Sequence, residues 1–184
     1  ARGPMCGNGL LERARGEQCD DGGTAASDGC SATCMFELSD TLTLPGPEAV
    51  RSGALAAAEV DYYGLIVTQP VVVTLETGAP AVGLCDTPGA DTVLVVLDSA
   101  QQQVARSDDT LGLCAAITAR SGLALAAGSY TVAVRSYDPT RALASYGLRV
   151  ASAVTTCGDD VVASTEACDD GNTVGGDGCS ATCT

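Results

Sequence analysis

Cys19-Asp-Asp-Gly-Gly-Thr-Ala-Ala-Ser-Asp-Gly-Cys-Ser-Ala-Thr-Cys34, near the start of the chain, returns at its far end as Cys168-Asp-Asp-Gly-Asn-Thr-Val-Gly-Gly-Asp-Gly-Cys-Ser-Ala-Thr-Cys183. Twelve of the sixteen positions are identical, all three cysteines among them, so the two ends are copies of one unit. The likeness continues upstream. Glu17 and Glu166 each precede the first cysteine of the stretch by two residues, and Cys6-Gly7-Asn8 answers Cys157-Gly158-Asp159. Three parts follow from this duplication: a four-cysteine module over 1–37, a different kind of segment over 38–154, and a second four-cysteine module over 155–184.

The modules cannot stand on an apolar interior. In the first, only Met5, Leu10, Leu11 and Phe36 are candidates for a core, too few for a unit of this length. Gly7, Gly9, Gly16, Gly22, Gly23 and Gly29 mark successive turns, not helices or strands. Cross-links or bound metal must supply the stability. The ten cysteines fall as four (Cys6, Cys19, Cys30, Cys34), two (Cys85, Cys114) and four (Cys157, Cys168, Cys179, Cys183), an even grouping that reads as five disulfides formed in an oxidising compartment. Zinc is the rival reading. Against it, the close pairs are spaced Cys-x3-Cys and there is no histidine. Within each module three connectivities stay open.

The middle segment reads as β-structure. Leu38–Leu44, Tyr62–Thr68, Val71–Thr77, Thr92–Leu97, Gln103–Arg106, Leu113–Thr118, Ser129–Arg135 and Tyr146–Val150 are short, β-branched and separated by Gly, Pro, Asp and Ser. That is the pattern of an all-β sandwich. Ala54 to Glu59 is ambiguous among helix, edge strand and loop. A Cys85–Cys114 bridge would pin the loops of this domain, and the short linkers predict modules packed on the sandwich. Tyr62, Tyr63, Tyr130, Tyr137 and Tyr146 either build a sugar-stacking platform or fill the sandwich core, and with no tryptophan we read most of them as core.

A net charge of −14, from 23 acidic residues against nine arginines and no lysine, repels nucleic acid and anionic lipid and suits extracellular divalent cations. No stretch is apolar and long enough to span a bilayer, and the absence of a signal peptide fits a processed chain starting at Ala1. Without histidine, lysine or a free thiol, the usual general base, Schiff-base amine and thiolate nucleophile are missing, so no enzyme is expected.

Calcium is the leading chemical expectation. Asp-Asp-Gly-Asn-x4-Asp-Gly places hard oxygen ligands on a glycine-bent loop, as a six- to eight-oxygen Ca²⁺ site needs. In the second module the candidate ligands are Asp169, Asp170, Asn172 and Asp177, with Glu166 and Asp159 nearby. Their counterparts in the first are Asp20, Asp21 and Asp28, with Glu17 and Asn8. Gly23 replaces Asn172 there, which predicts the weaker site in the first module. The competing reading has these side chains capping turns through their own backbone. The spacing departs from the EF-hand pattern. Asp108-Asp109 reads as a solvated turn in preference to a loop site.

Cys-Gly-Asn/Asp, Glu-x-Cys-Asp-Asp-Gly-Asn and Gly-Asp-Gly-Cys-Ser-Ala-Thr-Cys together resemble the Myxococcus cysteine-rich repeat, with departures at Gly23 and Ser27 in the first copy and at Asp160, where the first has Gly9. That resemblance implies disulfides, an extracellular location and no reaction. Val60–Leu65, Asp91–Asp98, Ser107-Asp108-Asp109, Ala127–Val132 and Tyr146–Val150 resemble the bacterial pre-peptidase C-terminal domain. The latter implies a jelly-roll-like β-sandwich, an accessory part of secreted proteases and surface proteins, with calcium, collagen or glycan as ligands of some relatives. The expectation is therefore a non-catalytic protein, extracellular or on a bacterial cell surface. Matching ends would let copies join head to tail into a filament or surface layer, and strands such as Val71 to Leu75, if left exposed, would favour edge pairing between copies. The alternative is a glycan-, matrix- or calcium-binding accessory module of a larger secreted protein such as a peptidase, and a calcium-regulated protease-like domain is a third reading.

Overall fold

The structure is a computed structural model and describes residues 6–78, 91–118, 123–160, 162 and 166–184. Among the described residues, eleven strands run in chain order: β1 (Leu38–Leu44), β2 (Ala49–Leu55), β3 (Val60–Val67), β4 (Val71–Gly78), β5 (Thr92–Leu97), β6 (Gln103–Ser107), β7 (Asp109–Leu111), β8 (Cys114–Ile117), β9 (Ala124–Leu125), β10 (Gly128–Ser136) and β11 (Leu143–Val154). The helical content of the described residues is one 3-10 turn, Arg13–Arg15.

Two sheets pack face to face. One has the order β1-β3-β10-β5-β6, the other β2-β11-β4-β8-β7, with β9 paired to β4. Strand alternation explains the interior. Tyr63, Leu65 and Val67 of β3, Val132 and Val134 of β10, and Leu94 and Val96 of β5 point inward. They meet Val71, Val73 and Leu75 of β4 and Tyr146, Leu148 and Val150 of β11. Neighbouring strands run antiparallel except β1, which lies parallel to β3 with Leu38 opposite Tyr62 and Leu44 opposite Val67.

All eight strands expected from the sequence exist; β2, β7 and β9 are additional. β2 escapes a reading by pattern because Gly53 interrupts it. The structure shows why glycine stands there: a Cβ at Gly53 would lie 2.6 Å from the ring of Tyr146. The ambiguous patch divides, since Ala54-Leu55 ends edge strand β2 and a turn through Ala58 (φ 66°) leads into β3. The condition for edge pairing is not met. Val71 to Leu75 is no free edge, because β4 lies between β11 and the β8 and β9 strands, and Val71, Val73 and Leu75 are fully buried. Three consecutive valines mark a strand covered on both faces, which an edge would not tolerate.

Hydroxyl groups join the sheets where the apolar core ends. Tyr63 and Tyr146 oxygens lie 2.7 Å apart across the interior, and the Tyr146 hydroxyl donates on to Asp61. Burial pushes both phenols above their ordinary value. Near the other end, Thr77 and Thr92 hydroxyls meet at 2.5 Å, and Ser107 Oγ accepts the Ala116 N–H at 3.0 Å. Of the remaining tyrosines, Tyr130 packs against the core and Tyr137 is exposed.

Candidate functional site

The first module is closed by Cys6–Cys34 and, nested inside it, Cys19–Cys30; the second repeats the pairing as Cys157–Cys183 and Cys168–Cys179. Of the three connectivities open from the sequence, both modules adopt the nested one. The turn that makes this possible is Ser31–Cys34, where the Cys34 N–H bonds Ser31 O at 2.8 Å and the Cys34 carbonyl accepts from Gln18 at 2.8 Å. Cys114 is also disulfide-bonded, and Cys85, its expected partner, lies outside the described residues.

Inside each nested pair an aspartate does the work of a core. Asp20 Oδ2 accepts the N–H groups of Gly7 (3.1 Å) and Asn8 (3.3 Å), and its Oδ1 accepts those of Gly9 and Gly22 (both 2.9 Å). Asp169 repeats this with Gly158 (2.7 Å), Asp159 (3.2 Å), Asp160 (3.0 Å) and Gly171 (2.8 Å). Four donors occupy the roughly four lone-pair positions of an ionised carboxylate. For Asp20, desolvation pulls the pKa up but the four N–H bonds outweigh it, holding the carboxyl below its ordinary value. Asp169 is likewise lowered, first by the Gly171 N–H and against a desolvation that raises it.

Turn chemistry also engages most of the other candidate ligands. Asn8 Oδ1 accepts the Leu10 N–H at 2.7 Å, Asp21 Oδ1 that of Gly23 at 2.8 Å, and Asp159 Oδ2 that of Thr156 at 2.9 Å. Asn172 Oδ1 accepts from Val174 at 2.6 Å while its amide donates to Asp177 at 3.2 Å, and Asp170 Oδ2 accepts from Cys179 at 2.8 Å. The acids of the first module occupy two places, one of which recurs in the second. Glu17 stands beside Asp20, and Glu166 beside Asp169. Separately, Asp28 stands beside Asp21, and desolvation followed by the Asp21 charge raises its pKa. Buried oxygens without a hydrogen-bond partner remain on Glu17, Asp28 and Asp170.

Two features escaped the sequence reading. The first is the make-up of the seam between module and sandwich, since the short linkers predicted the packing but not the residues that form it. Phe36 stacks on Tyr62 with ring centroids 4.2 Å apart, and Arg13 donates to Gln101 O at 2.6 Å. Gly29 (φ +102°) sits so close that a Cβ would lie 2.0 Å from Val60 O. A mainly apolar groove of about 210 Å³ runs along this seam, with Leu11, Phe36, Tyr62 and Leu97 in its wall and Asp21 and Asp28 among its polar lining. Burial first, and the Asp21 charge second, push the Tyr62 phenol up to about 12. No periodicity announces such a seam, since Phe36 lies outside any strand.

The second is an acidic cluster at one end of the sandwich. Asp108 sits in the bend between β6 and β7, paired to Arg106 at 2.9 Å, and Asp109 opens β7 instead of lying in a turn; Asp91 joins them with carboxylate oxygens mutually within 4.8 Å. Desolvation, then Asp109 and Asp108, raise the Asp91 pKa. A hairpin register was the available signal. Leu94 pairs with Ser107, which brings Asp91, just before β5, to the same end of the sandwich as Asp108, just after β6.

The fold and its ends thus define a two-sheet β-sandwich with nested-disulfide modules at both termini. A protein-family profile described as a domain of unknown function (DUF4215) matches twice, at residues 3–35 and 152–184, which are the two duplicated ends. No curated protein matches the chain. Among solved structures, the chain is similar to the pre-peptidase C-terminal domain of collagenase from Bacillus anthracis, with TM-score 0.46 and 16% identity over 63% of this chain and 98% of that one. It is also similar to PliG, a periplasmic inhibitor of g-type lysozyme from Aeromonas hydrophila, with TM-score 0.42 and 14% identity over 62% of this chain and 100% of that one. No helix among the described residues is long and apolar enough to cross a membrane.

Proposed function

We propose that this is a non-catalytic structural or adhesive protein of the cell exterior, in which a β-sandwich is clamped by disulfide modules and copies join head to tail. The supporting observation is the pair of like ends. Each carries the same nested disulfides and the same aspartate holding four N–H groups, and the first is docked on the sandwich through Phe36 and Tyr62. A head-to-tail contact between unlike surfaces does not close on itself unless its rotation does, and so gives a ring or an open filament. The disulfides and the −14 charge support an oxidising, extracellular setting. Sedimentation and electron microscopy of the oxidised protein test the assembly. Filaments or rings are expected, and a monomer at millimolar concentration refutes the reading.

The groove along the module–sandwich seam favours a second reading, an accessory module that binds glycan or matrix for a larger secreted protein. Tyr62 and Phe36 offer an apolar surface and Asp21 and Asp28 offer acceptors, which is the composition of a small-ligand site. Retention on a polysaccharide or collagen column that Tyr62→Ala abolishes supports it, and elution in the void volume removes it.

A further inference from the structure

Glu17 is 2% exposed, yet its Oε1 has no hydrogen-bond partner. Its other oxygen accepts the Glu12 N–H at 2.5 Å. Among the described residues no arginine forms an ion pair with it, and Arg15, which is close in sequence, pairs with Glu12 instead. A carboxylate oxygen of Glu17, one of Asp20 and Sγ of Cys34 lie within 4.8 Å of one another. The sulfur belongs to the Cys6–Cys34 bridge and brings neither charge nor a proton. Two carboxylates therefore approach each other with the N–H donors distributed unequally. Asp20 has four, and Glu17 has one and a bare oxygen turned into the protein. Burying an anionic oxygen without a partner is among the costlier arrangements a fold can hold, and a cation beside it removes the cost.

We infer that the first module holds a divalent calcium ion at Glu17 Oε1, with the Asp20 carboxylate, whose lone pairs its four N–H groups already take, as a second negative charge beside the ion and not as a ligand. The donors are hard oxygens, no histidine exists, and the neighbouring sulfur is committed to a disulfide, so zinc and copper are poorly matched. Calcium accepts irregular oxygen sets completed by carbonyls and water. Nothing in this inference depends on head-to-tail assembly. The Asp91, Asp108 and Asp109 cluster does not compete for the role, since Asp91 and Asp108 are only part-buried, Asp109 is exposed and Asp108 already has Arg106. In the second module Glu166, Asp169 and Cys183 keep the same mutual reach, but Glu166 is only half-buried. The deeper and tighter site is thus the first, the reverse of the order that Gly23 implied.

The test uses the full oxidised chain, stripped with chelator and titrated with Ca²⁺ by calorimetry and by NMR of the glutamate side-chain carboxyl carbons. The expected result is saturable binding that moves the Glu17 resonance, a higher melting temperature with Ca²⁺ than with chelator, and at least tenfold weaker binding in Glu17→Gln. In chelator, Glu17→Gln should melt no lower than the native chain, because the amide removes the buried charge. Glu166→Gln should leave the tighter site unchanged. Absence of saturable binding, an unmoved Glu17 resonance at saturation, or equal affinity in a folded Glu17→Gln overturns the inference. Should Glu17→Gln fail to fold, the native resonance alone decides. An equal response to Mg²⁺ overturns the assignment to calcium.

Discussion

Removing the outer bond of the first module, with Cys6→Ala and Cys34→Ala together, isolates the claim that cross-links replace a core there. The outer bridge spans 28 residues and the inner one 11 of these, so with the inner bond kept the outer one closes a loop of about 17 residues. The chain-entropy relation converts a loop of that size to about 3 kcal/mol at 25 °C. At about 1.4 kcal/mol per factor of ten, local opening should become a little over a hundredfold more frequent. The reporters are already in place. Among the described residues the Gly7, Asn8, Gly9 and Gly22 amides are held by Asp20, so their hydrogen exchange reads the opening of the module. Exchange at these four should accelerate by about two orders of magnitude, a direct reading of the entropy argument. Gly158, Asp160 and Gly171 of the second module, and Val73 and Leu94 of the sandwich, should not change. Protection at Gly7 to Gly9 preserved within threefold would refute the reasoning, since the module would then be held by contacts the cross-link does not control.

Three further outcomes are expected. Tyr63→Phe should cost about 1 kcal/mol and Tyr146→Phe about 2–3, because the second strands both the Tyr63 hydroxyl and Asp61; in denaturant melts the double variant should fall short of their sum by about 1 kcal/mol. Asp20 and Asp169 titrate lower in the folded chain than the ordinary 3.8, so the stability they add is complete above that value and disappears as pH falls through the lower folded one. A melting curve series from neutral to acid pH should therefore decline below about 4, and Asp20→Asn with Asp169→Asn should flatten that decline. Gly29→Ala should lift the first module off the sandwich, because the new Cβ meets Val60 O; ultraviolet titration should then show Tyr62 ionising nearer 10.0 than about 12.

From residue order alone came whatever depends on short-range pattern. Short apolar, β-branched runs such as Thr92–Leu97 are strands because a run this brief, bounded by turn residues, is buried on both faces of a sheet, and the observed β5 has these same ends. The duplication of Cys19–Cys34 in Cys168–Cys183 announced two like modules too poor in apolar residues to stand without cross-links. Which cysteine pairs with which was beyond reach, since spacing is compatible with all three connectivities and the choice falls to the turn at Ser31–Cys34. Asp-Asp-Gly likewise reads equally well as ligand or cap. Only the folded chain decides that Asp20 faces four N–H groups while Glu17 faces none with its second oxygen. Strand β2, the covering of Val71–Leu75 on both edges and the Phe36–Tyr62 stack all join residues distant in the chain. Pattern along a chain reports which face a residue turns; what it turns toward is set by the packing of segments that never meet in sequence.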